Sequence, residues 1–253
     1  MTHVGAGTLI HPKFVLTTAH TCKDFNQYVA RFGEWNMDST AEIYPVQEIE
    51  IMETIKHPQY RPGNLPGNDI GLAVLRENVI YSEHIRPICL PNADDNFEDQ
   101  KCISSGWGLD VRTGKPPALM KRMELEIISH ARCQMLYWLV DSNIKLDFTT
   151  MCVKGTKGQY TAKKDGGSPL ACERDDGSYV LAGIASWGVI TYSQQSEFPT
   201  GQMDVTKFVG WINDTINSYD GLQAKTDNRI QFLGRIERMP VLYANPHQES
   251  KGR

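Results

Sequence analysis

Short apolar segments separated by turn residues constrain the fold of this chain more than any other feature of its sequence. Between residues 120 and 128, Met123, Leu125 and Ile127 alternate with charged residues, as in a strand that is buried on one face. Four further candidate strands are equally short and rich in apolar residues: 14–18, 28–32, 70–75 and 180–187. Many short strands divided by Pro and Gly predict an all-β sandwich or barrel.

Two segments favour helices instead of strands. Residues 131–140 predict one short helix. Nearer the C-terminus, Val205, Phe208 and Ile212 fall on one helical face, and Asp204 precedes them as an N-cap. We therefore expect a mostly β domain that ends in a helix.

One segment of the chain resembles a catalytic signature. Residues 164–172 read Lys-Asp-Gly-Gly-Ser-Pro-Leu-Ala-Cys, which is similar to the Gly-Asp-Ser-Gly-Gly-Pro-Leu signature of chymotrypsin/trypsin-like serine proteases. Asp165, Pro169 and Cys172 fix the register. In that register the nucleophilic serine of the family is replaced by Gly166, which has no side chain to attack a carbonyl.

Two more motifs, in the chain order of the family, strengthen the resemblance. His20 ends a Val-Leu-Thr-Thr-Ala-His segment similar to the one that carries the catalytic base. Asp69 lies in an Asn-Asp-Ile-Gly-Leu segment similar to the one that carries the aspartate orienting that base. Further family marks lie at 86–91, 105–108, 185–188 and 211–212. The resemblance implies a chymotrypsin-like fold of two six-stranded β-barrels followed by a C-terminal helix.

The resemblance also implies the domain boundaries. It gives a trypsin-like domain over residues 1–217, whose first barrel is truncated because active relatives carry a further segment before the position of Gly5. In those relatives the ammonium at the start of that segment pairs with the aspartate that Asp165 matches. Asp165 is therefore expected to be solvated or to make other contacts, since an unpaired buried carboxylate is costly. Residues 218–253 are expected to be a flexible C-terminal extension.

Two parts of the catalytic machinery are altered, so the chain is expected not to be an enzyme. In enzymes of this type, loss of the nucleophile costs on the order of 10⁶ in turnover. Lys164 replaces the family's glycine whose N–H lines the oxyanion hole, and a side chain there disfavours the glycine-type backbone. Losing such a donor costs about 3 kcal/mol in the transition state. His20 and Asp69 are then expected to persist as a structural pair.

Ser168 offers a hydroxyl close to the altered signature. It lies two residues past Gly166, which corresponds to about 6–7 Å along a strand. A general base must come within about 3.2 Å of the group from which it takes a proton. We therefore expect Ser168 to be a structural residue.

The specificity pocket implied by the resemblance is altered as well. Tyr160 stands where trypsin-like members have an aspartate at the base of the pocket, and Thr200 stands where a wall glycine is usual. Ser186, Trp187 and Gly188 match the remaining wall. A bulky base and a branched wall residue are expected to fill the pocket partly and to remove specificity for basic residues.

The resemblance implies two disulfide bonds, Cys102–Cys172 and Cys133–Cys152. The second closes a loop of about twenty residues and should stabilise the fold by about 3 kcal/mol. Cys89 is left over; in clip-domain relatives, the cysteine at its position ties the protease domain to an N-terminal light chain. A free or mispaired thiol at Cys89 is the open alternative.

Cys22 is the other remaining cysteine. Thr21 separates it from the histidine, next to which the family has a cysteine, and the family's partner position is Gly5. His20 and Cys22 alone do not make a metal site, and the other histidines lack metal-ligand spacing. No metal and no cofactor are expected.

Composition and cysteine content restrict the partners and the location. The net charge of −4, without a basic run, argues against nucleic-acid binding. No apolar stretch reaches the roughly 18 residues of a membrane helix. Six cysteines and a glycosylation sequon at Asn213 indicate secretion, although no signal peptide precedes the domain. A cytosolic protein with reduced thiols remains the alternative.

The combined features resemble the inactive serine protease homologues of the clip-domain type found in arthropods. Residues 31–35 (Arg-Phe-Gly-Glu-Trp), Cys89 and Gly166 carry this closer resemblance. It implies a secreted, non-catalytic cofactor or regulator of an extracellular protease cascade, of the innate immunity or prophenoloxidase type. Its partners would be proteases or zymogens. An active serine endopeptidase and a secreted binding or adhesion module are the competing hypotheses.

Overall fold

The computed structural model describes residues 3–22, 28–39, 41–110, 113–155, 161–188 and 198–221. Residues 1–212 form one compact unit and residues 213–253 a second. The strands are β1 Thr8–His11, β2 Phe14–Thr17, β3 Val29–Phe32, β4 Gln47–Lys56, β5 Gly71–Leu75, β6 Lys101–Gly106, β7 Lys121–Ile128, β8 Thr150–Gly155, β9 Pro169–Glu173, β10 Tyr179–Trp187 and β11 Thr200–Asp204. The predicted all-β fold class is confirmed.

The strands form two antiparallel sheets. The first has five strands in the order β1-β2-β5-β4-β3, and the second closes into a six-stranded barrel in the order β10-β11-β8-β7-β6-β9. The predicted alternation on β7 is visible in the barrel, where Met123, Leu125 and Ile127 are buried against Leu170 and Val180. Apolar residues at every second position thus fill the interior of the barrel.

Three helical segments complete the described fold. Helix α1 spans His130–Trp138, and Ser129 caps it by accepting a hydrogen bond from the N–H of Arg132. At the C-terminal end, Asp204 caps a short 3₁₀ turn by accepting from the N–H of Thr206. A second helix, α2, covers 209–221. The expected C-terminal helix is therefore present, but it is entered through the 3₁₀ turn.

Strand β4 is the longest strand in the described part of the chain, and the sequence pattern does not predict it. Ile49 and Ile51 pack with the core of the first sheet, but most residues of β4 remain partly or fully exposed. A bulge between Ile51 and Glu53 interrupts the pairing with β5. Because a bulge shifts the alternation by one residue, the period-two signal of this segment is weak.

All six cysteines lie in the described part of the chain. Cys102 on β6 is bonded to Cys172 on β9, and Cys133 on α1 is bonded to Cys152 on β8. Both bonds belong to the second barrel. The second bond ties helix α1 to strand β8.

The two cysteines outside these bonds have different surroundings. Cys22 is buried and free, and its sulfur lies against Gly71, where an added Cβ would come within 2.7 Å. Burial raises the pKa of the Cys22 thiol to about 12. An added Cβ on Gly5 would lie 2.9 Å from the Thr21 methyl group, so Thr21, and not Cys22, faces Gly5. Cys89 is free and exposed.

Candidate functional site

The pairing of β2 with β5 brings His20 and Asp69 together. Thr17, the last residue of β2, is opposite Gly71, the first residue of β5. His20 follows Thr17 by three residues and Asp69 precedes Gly71 by two, so both lie at the same end of this strand pair. Residues far apart in the chain thus meet because of the register of one antiparallel pair.

The Asp69 carboxylate holds His20 by two hydrogen bonds. Its Oδ2 is 2.7 Å from Nδ1 of the imidazole, and its Oδ1 accepts from the backbone N–H of His20 at 2.8 Å. Asp69 is fully buried, whereas 44% of the His20 side chain is exposed. A carboxylate that accepts from Nδ1 leaves Nε2 directed away from it, as a base-orienting aspartate requires.

Ser186 adds a third hydrogen bond to this carboxylate. Its hydroxyl donates to Oδ2 of Asp69 at 2.5 Å. The sequence motifs place Ser186 in the specificity pocket and do not predict this contact. Ser186 and Asp69 are separated by 117 positions, so no local pattern relates them.

Gly166 lies directly in front of the free nitrogen of His20. An added Cβ on Gly166 would lie 3.0 Å from Nε2 and 3.1 Å from Cε1 of the imidazole. The structure thus brings His20, Asp69 and Gly166 close together. A side chain at position 166 would be adjacent to Nε2 of His20, and this is the position at which the chain has only hydrogen.

The backbone at Lys164 differs from the expectation. The φ angle of Lys164 is 77°, so this lysine adopts the left-handed conformation that the family's glycine would have. The expected departure from the glycine-type backbone is therefore wrong. The left-handed region costs a non-glycine residue roughly 1–2 kcal/mol. The adjacent Asp165, which is fixed by its own hydrogen bonds, holds the turn in this shape.

Asp165 is buried and makes other contacts, which is the second of the two expected outcomes. Its Oδ1 accepts from the N–H of Gly108 at 2.7 Å, and its Oδ2 accepts from the N–H of Ala162 at 2.8 Å. The Lys121 ammonium lies 3.6 Å from Oδ2. Two backbone donors and one cation thus compensate a fully buried carboxylate. Lys121 was missed by the sequence analysis, because it is the first residue of β7 and has no motif of its own.

Ser168 has the surroundings of a structural residue. It is fully buried, and its hydroxyl oxygen would lie 2.6 Å from a Cβ on Gly106 of β6. The Ser168 hydroxyl has no hydrogen-bond partner among the residues described. It packs beside Asp165 at Gly106, whereas the imidazole of His20 faces Gly166.

The residues of the predicted specificity pocket lie on two adjacent strands. An added Cβ on Gly188 would lie 3.1 Å from the Thr200 methyl group, so this branched side chain occupies the space beside Gly188. The Thr200 hydroxyl is 3.0 Å from that of Thr161. Trp187 packs edge-on against Tyr137. Tyr160 lies outside the described residues.

Several other predictions concern features outside this site. Asn213 is exposed on α2. Within the described ranges, no three His, Cys, Asp or Glu side chains converge as a metal site would require. No described helix has the length and apolar character needed to cross a bilayer.

Comparison with known proteins relates this geometry to one family. The Trypsin family model matches residues 1–212. The chain is 45% identical over 218 residues to Inactive CLIP domain-containing serine protease A8 of Anopheles gambiae, with 85% of this chain and 59% of that protein covered. It is 32% identical over 221 residues to Phenoloxidase-activating factor 2 of Galleria mellonella, with 85% and 72% covered.

A solved structure of a serine protease is similar to this chain as well. Neuropsin, a serine protease expressed in the limbic system of mouse brain, is similar with a TM-score of 0.70 and 29% identity, covering 84% of this chain and 89% of that one.

Inactive CLIP domain-containing serine protease A28 of Anopheles gambiae is 43% identical over 215 residues, covering 84% of this chain and 56% of that protein. The chain therefore spans less than two thirds of the length of the Anopheles relatives.

Proposed function

The chain belongs to the trypsin family, and we propose that it acts there as a secreted, non-catalytic cofactor or regulator of an extracellular protease cascade. The observation that carries this proposal is Gly166 in front of His20 Nε2. Acyl transfer by this fold begins with a hydroxyl that the histidine deprotonates. Here the base and its orienting carboxylate are in place, but the atom that would form the acyl bond is absent from the side chain.

The names of the relatives support the regulatory part of the proposal. Two of them are named as inactive proteases and one as a phenoloxidase-activating factor. A protease fold without a nucleophile can still bind other proteins through its surface, because function depends on the site and not on the fold. We infer that the partners of this chain are proteases or zymogens of such a cascade.

The test measures prophenoloxidase activation by its activating protease, with and without the purified chain. We expect the chain alone to produce no phenoloxidase activity from prophenoloxidase. When the chain is present together with the activating protease, we expect a several-fold change in the yield of active phenoloxidase. Pretreatment of the chain with a phosphonate inhibitor should leave this change intact, because Gly166 offers no hydroxyl. An effect abolished by the inhibitor would support the active-endopeptidase hypothesis, and no effect of the chain on activation would contradict the proposal.

Cys89 is the position at which a covalent partner would be attached. Its thiol is free and exposed, and its carbonyl accepts a hydrogen bond from the N–H of Leu181 at 2.9 Å, which fixes this segment on the second barrel. We propose that Cys89 forms an interchain disulfide with a light chain in the secreted protein. The buried Cys22 serves as an internal control, because its thiol stays neutral at physiological pH.

The mass of the protein from its natural source, measured before and after reduction, tests this link. We expect a partner chain to be released on reduction and Cys89 to become alkylated only afterwards. Alkylation of Cys89 without prior reduction would show that the thiol is free in the secreted protein. That result would remove the covalent partner but leave the proposed cascade function untouched.

A further inference from the structure

We propose that an acid-lined cavity on the second barrel binds an arginine side chain in a basic segment of a partner protein. The cavity has a volume of about 540 Å³ and lies between the loop 93–98, the end of β7, the start of α1 and the first half of β8. None of the residues of the candidate functional site lines it. A ligand there would be bound whether or not the chain is catalytic.

The walls of the cavity carry an excess of negative charge. Four carboxylates and one ammonium line it, which are those of Asp94, Asp95, Glu98 and Asp204 and that of Lys207. Asp95 is paired with Arg174. Asp94 and Glu98 are exposed and form no ion pair within the described part of the chain. A concave surface with charge of one sign attracts a ligand of the opposite sign, so the cavity selects a cation.

Asp204 provides an acceptor inside the cavity, where only 17% of its side chain is exposed. Its Oδ1 accepts from the N–H and from the hydroxyl of Thr206, at 3.1 and 2.6 Å. Its Oδ2 accepts no hydrogen bond from the described residues, and the Lys207 ammonium is 3.8 Å away. Burial raises the pKa of the Asp204 carboxyl above its ordinary value. A cation bound at Oδ2 would therefore offset the cost of burying this charge.

The side chain of Asp204 points away from the candidate functional site. The preceding residue on β11 is Met203, whose sulfur accepts from the N–H of Asp69 at 3.2 Å. Successive side chains of a strand point to opposite faces. Because Met203 faces Asp69, Asp204 faces the other side of the strand, and a cation bound there does not contact the Asp69 carboxylate.

The apolar part of the lining favours arginine over other cations. Phe97, Ile127 and Ile128 are buried and form this part of the wall, while 74% of Phe148 remains exposed. A guanidinium group is more weakly hydrated than an ammonium and stacks on aromatic faces. Arginine thus suits a cavity that combines apolar side chains, an accessible aromatic ring and carboxylates.

The size of the cavity and the charge at its rim favour a peptide over a small free cation. A volume of about 540 Å³ lies in the range of about 300–1,000 Å³ that holds drug-sized ligands, so an arginine fits together with flanking residues. The exposed Asp94 and Glu98 extend the negative charge to the solvent side of the cavity. This distribution matches a segment that carries more than one basic residue.

The test compares three peptides that differ at one position: acetyl-Ala-Gly-Arg-Gly-Ala-amide and its versions with lysine or citrulline in place of arginine. Citrulline has the shape of arginine without its charge. A ligand-observed NMR titration of the full chain should give a Kd at least tenfold weaker for citrulline than for arginine, with lysine in between. Equal affinities for arginine and citrulline would overturn the proposal. Equal affinities for arginine and lysine would overturn the choice of arginine.

Asp204→Asn and Asp176→Asn form a matched pair of variants. Oδ1 of Asp176 accepts from the N–H and the hydroxyl of Ser178, as that of Asp204 does from Thr206, but Asp176 does not line the cavity. Asparagine keeps an acceptor for both bonds and removes the charge. We expect at least a tenfold loss of affinity for the arginine peptide in Asp204→Asn and none in Asp176→Asn. Equal affinities in the two variants would place the peptide elsewhere and overturn the assignment.

The rim is tested without any change to a buried residue. The double variant Asp94→Asn, Glu98→Gln removes two exposed charges from the cavity, and Asp38→Asn, Glu83→Gln removes two from exposed positions outside it. We expect a three- to tenfold loss of affinity for the arginine peptide in the first variant and none in the second. An equal loss in both would show a response to net charge alone and would contradict binding in the cavity.

Methylguanidine distinguishes the peptide from a small free cation. It carries the guanidinium group of arginine but has no backbone or flanking residues, so we expect it to displace the arginine peptide only well above the Kd of that peptide. Competition at concentrations near this Kd would show that the cavity takes small free cations, and the peptide part of the proposal would be wrong.

Discussion

Gly166→Ser is expected to make this chain react with a fluorophosphonate probe, to which the unaltered chain is inert. The substitution places a hydroxyl beside His20 Nε2, because an added Cβ at this position already lies 3.0 Å from that nitrogen. The distance is tight for a Cβ, and the half-exposed imidazole has room to adjust. Lys164 already has a left-handed backbone, so the expected loss of the glycine-type conformation at this position does not stand against the reaction. In-gel fluorescence and peptide mapping of the adduct measure this result.

The size of the effect is tested with a second substitution in the same background. A positioned general base contributes about 10²–10⁴-fold to proton transfer. Adding His20→Ala to Gly166→Ser should therefore lower the labelling rate by a factor in this range. Gly210→Ser, whose added Cβ would have no atom within 4 Å outside the backbone of its own helix, should not be labelled. A folded Gly166→Ser protein that stays unlabelled would contradict the inferred geometry, and labelling unaffected by His20→Ala would exclude His20 as its base.

Inertness of the unaltered chain is a separate part of this prediction. Ser168 is the nearest hydroxyl in the signature, but it is fully buried and packs at Gly106. A phosphonate adduct on Ser168 of the unaltered chain would overturn the proposed function. The same experiment thus separates a wrong view of the site geometry from a wrong view of the chain's activity.

Motifs in the sequence predicted the central pair and the altered nucleophile position. His20, Asp69 and Gly166 were placed by three short motifs in a fixed order, and the register of β2 against β5 explains why the first two meet. A motif carries this information because the chemistry requires given residue types at given positions. The same reasoning extends to β7, whose alternating apolar residues are the ones that are buried.

Other features of the site depend on contacts that no local pattern records. Lys121 lies near Asp165 only because β7 and the signature loop converge in the folded chain. The conformation of Lys164 was misjudged because propensity opposes a left-handed lysine, whereas the hydrogen bonds of its neighbour Asp165 impose one. Tertiary contacts worth several kcal/mol override a local preference of roughly 1–2 kcal/mol.

The retained strain at Lys164 and the buried Asp165 have one consequence for stability. Asp165→Ala is expected to lower the free energy of unfolding by about 3–5 kcal/mol. The substitution leaves the N–H groups of Gly108 and Ala162 without acceptors and the Lys121 ammonium without its counter-charge. Each unsatisfied buried donor costs about 1–3 kcal/mol. Guanidinium unfolding, followed by tryptophan fluorescence, measures the change in the transition midpoint.

Two further variants separate the hydrogen bonds from the charge. Asp165→Asn keeps one acceptor oxygen and should cost less than Asp165→Ala, while Lys121→Met removes the cation and leaves both backbone bonds in place. Lys101→Met is the matched control for the latter, because Lys101 lies 3.7 Å from Glu124 in an exposed pair, which contributes about 0–1 kcal/mol. If Lys121→Met costs no more than Lys101→Met, the ammonium does not compensate the buried carboxylate. If Asp165→Ala unfolds at the same denaturant concentration as the unaltered chain, Asp165 does not hold the turn, and the left-handed Lys164 must have another cause.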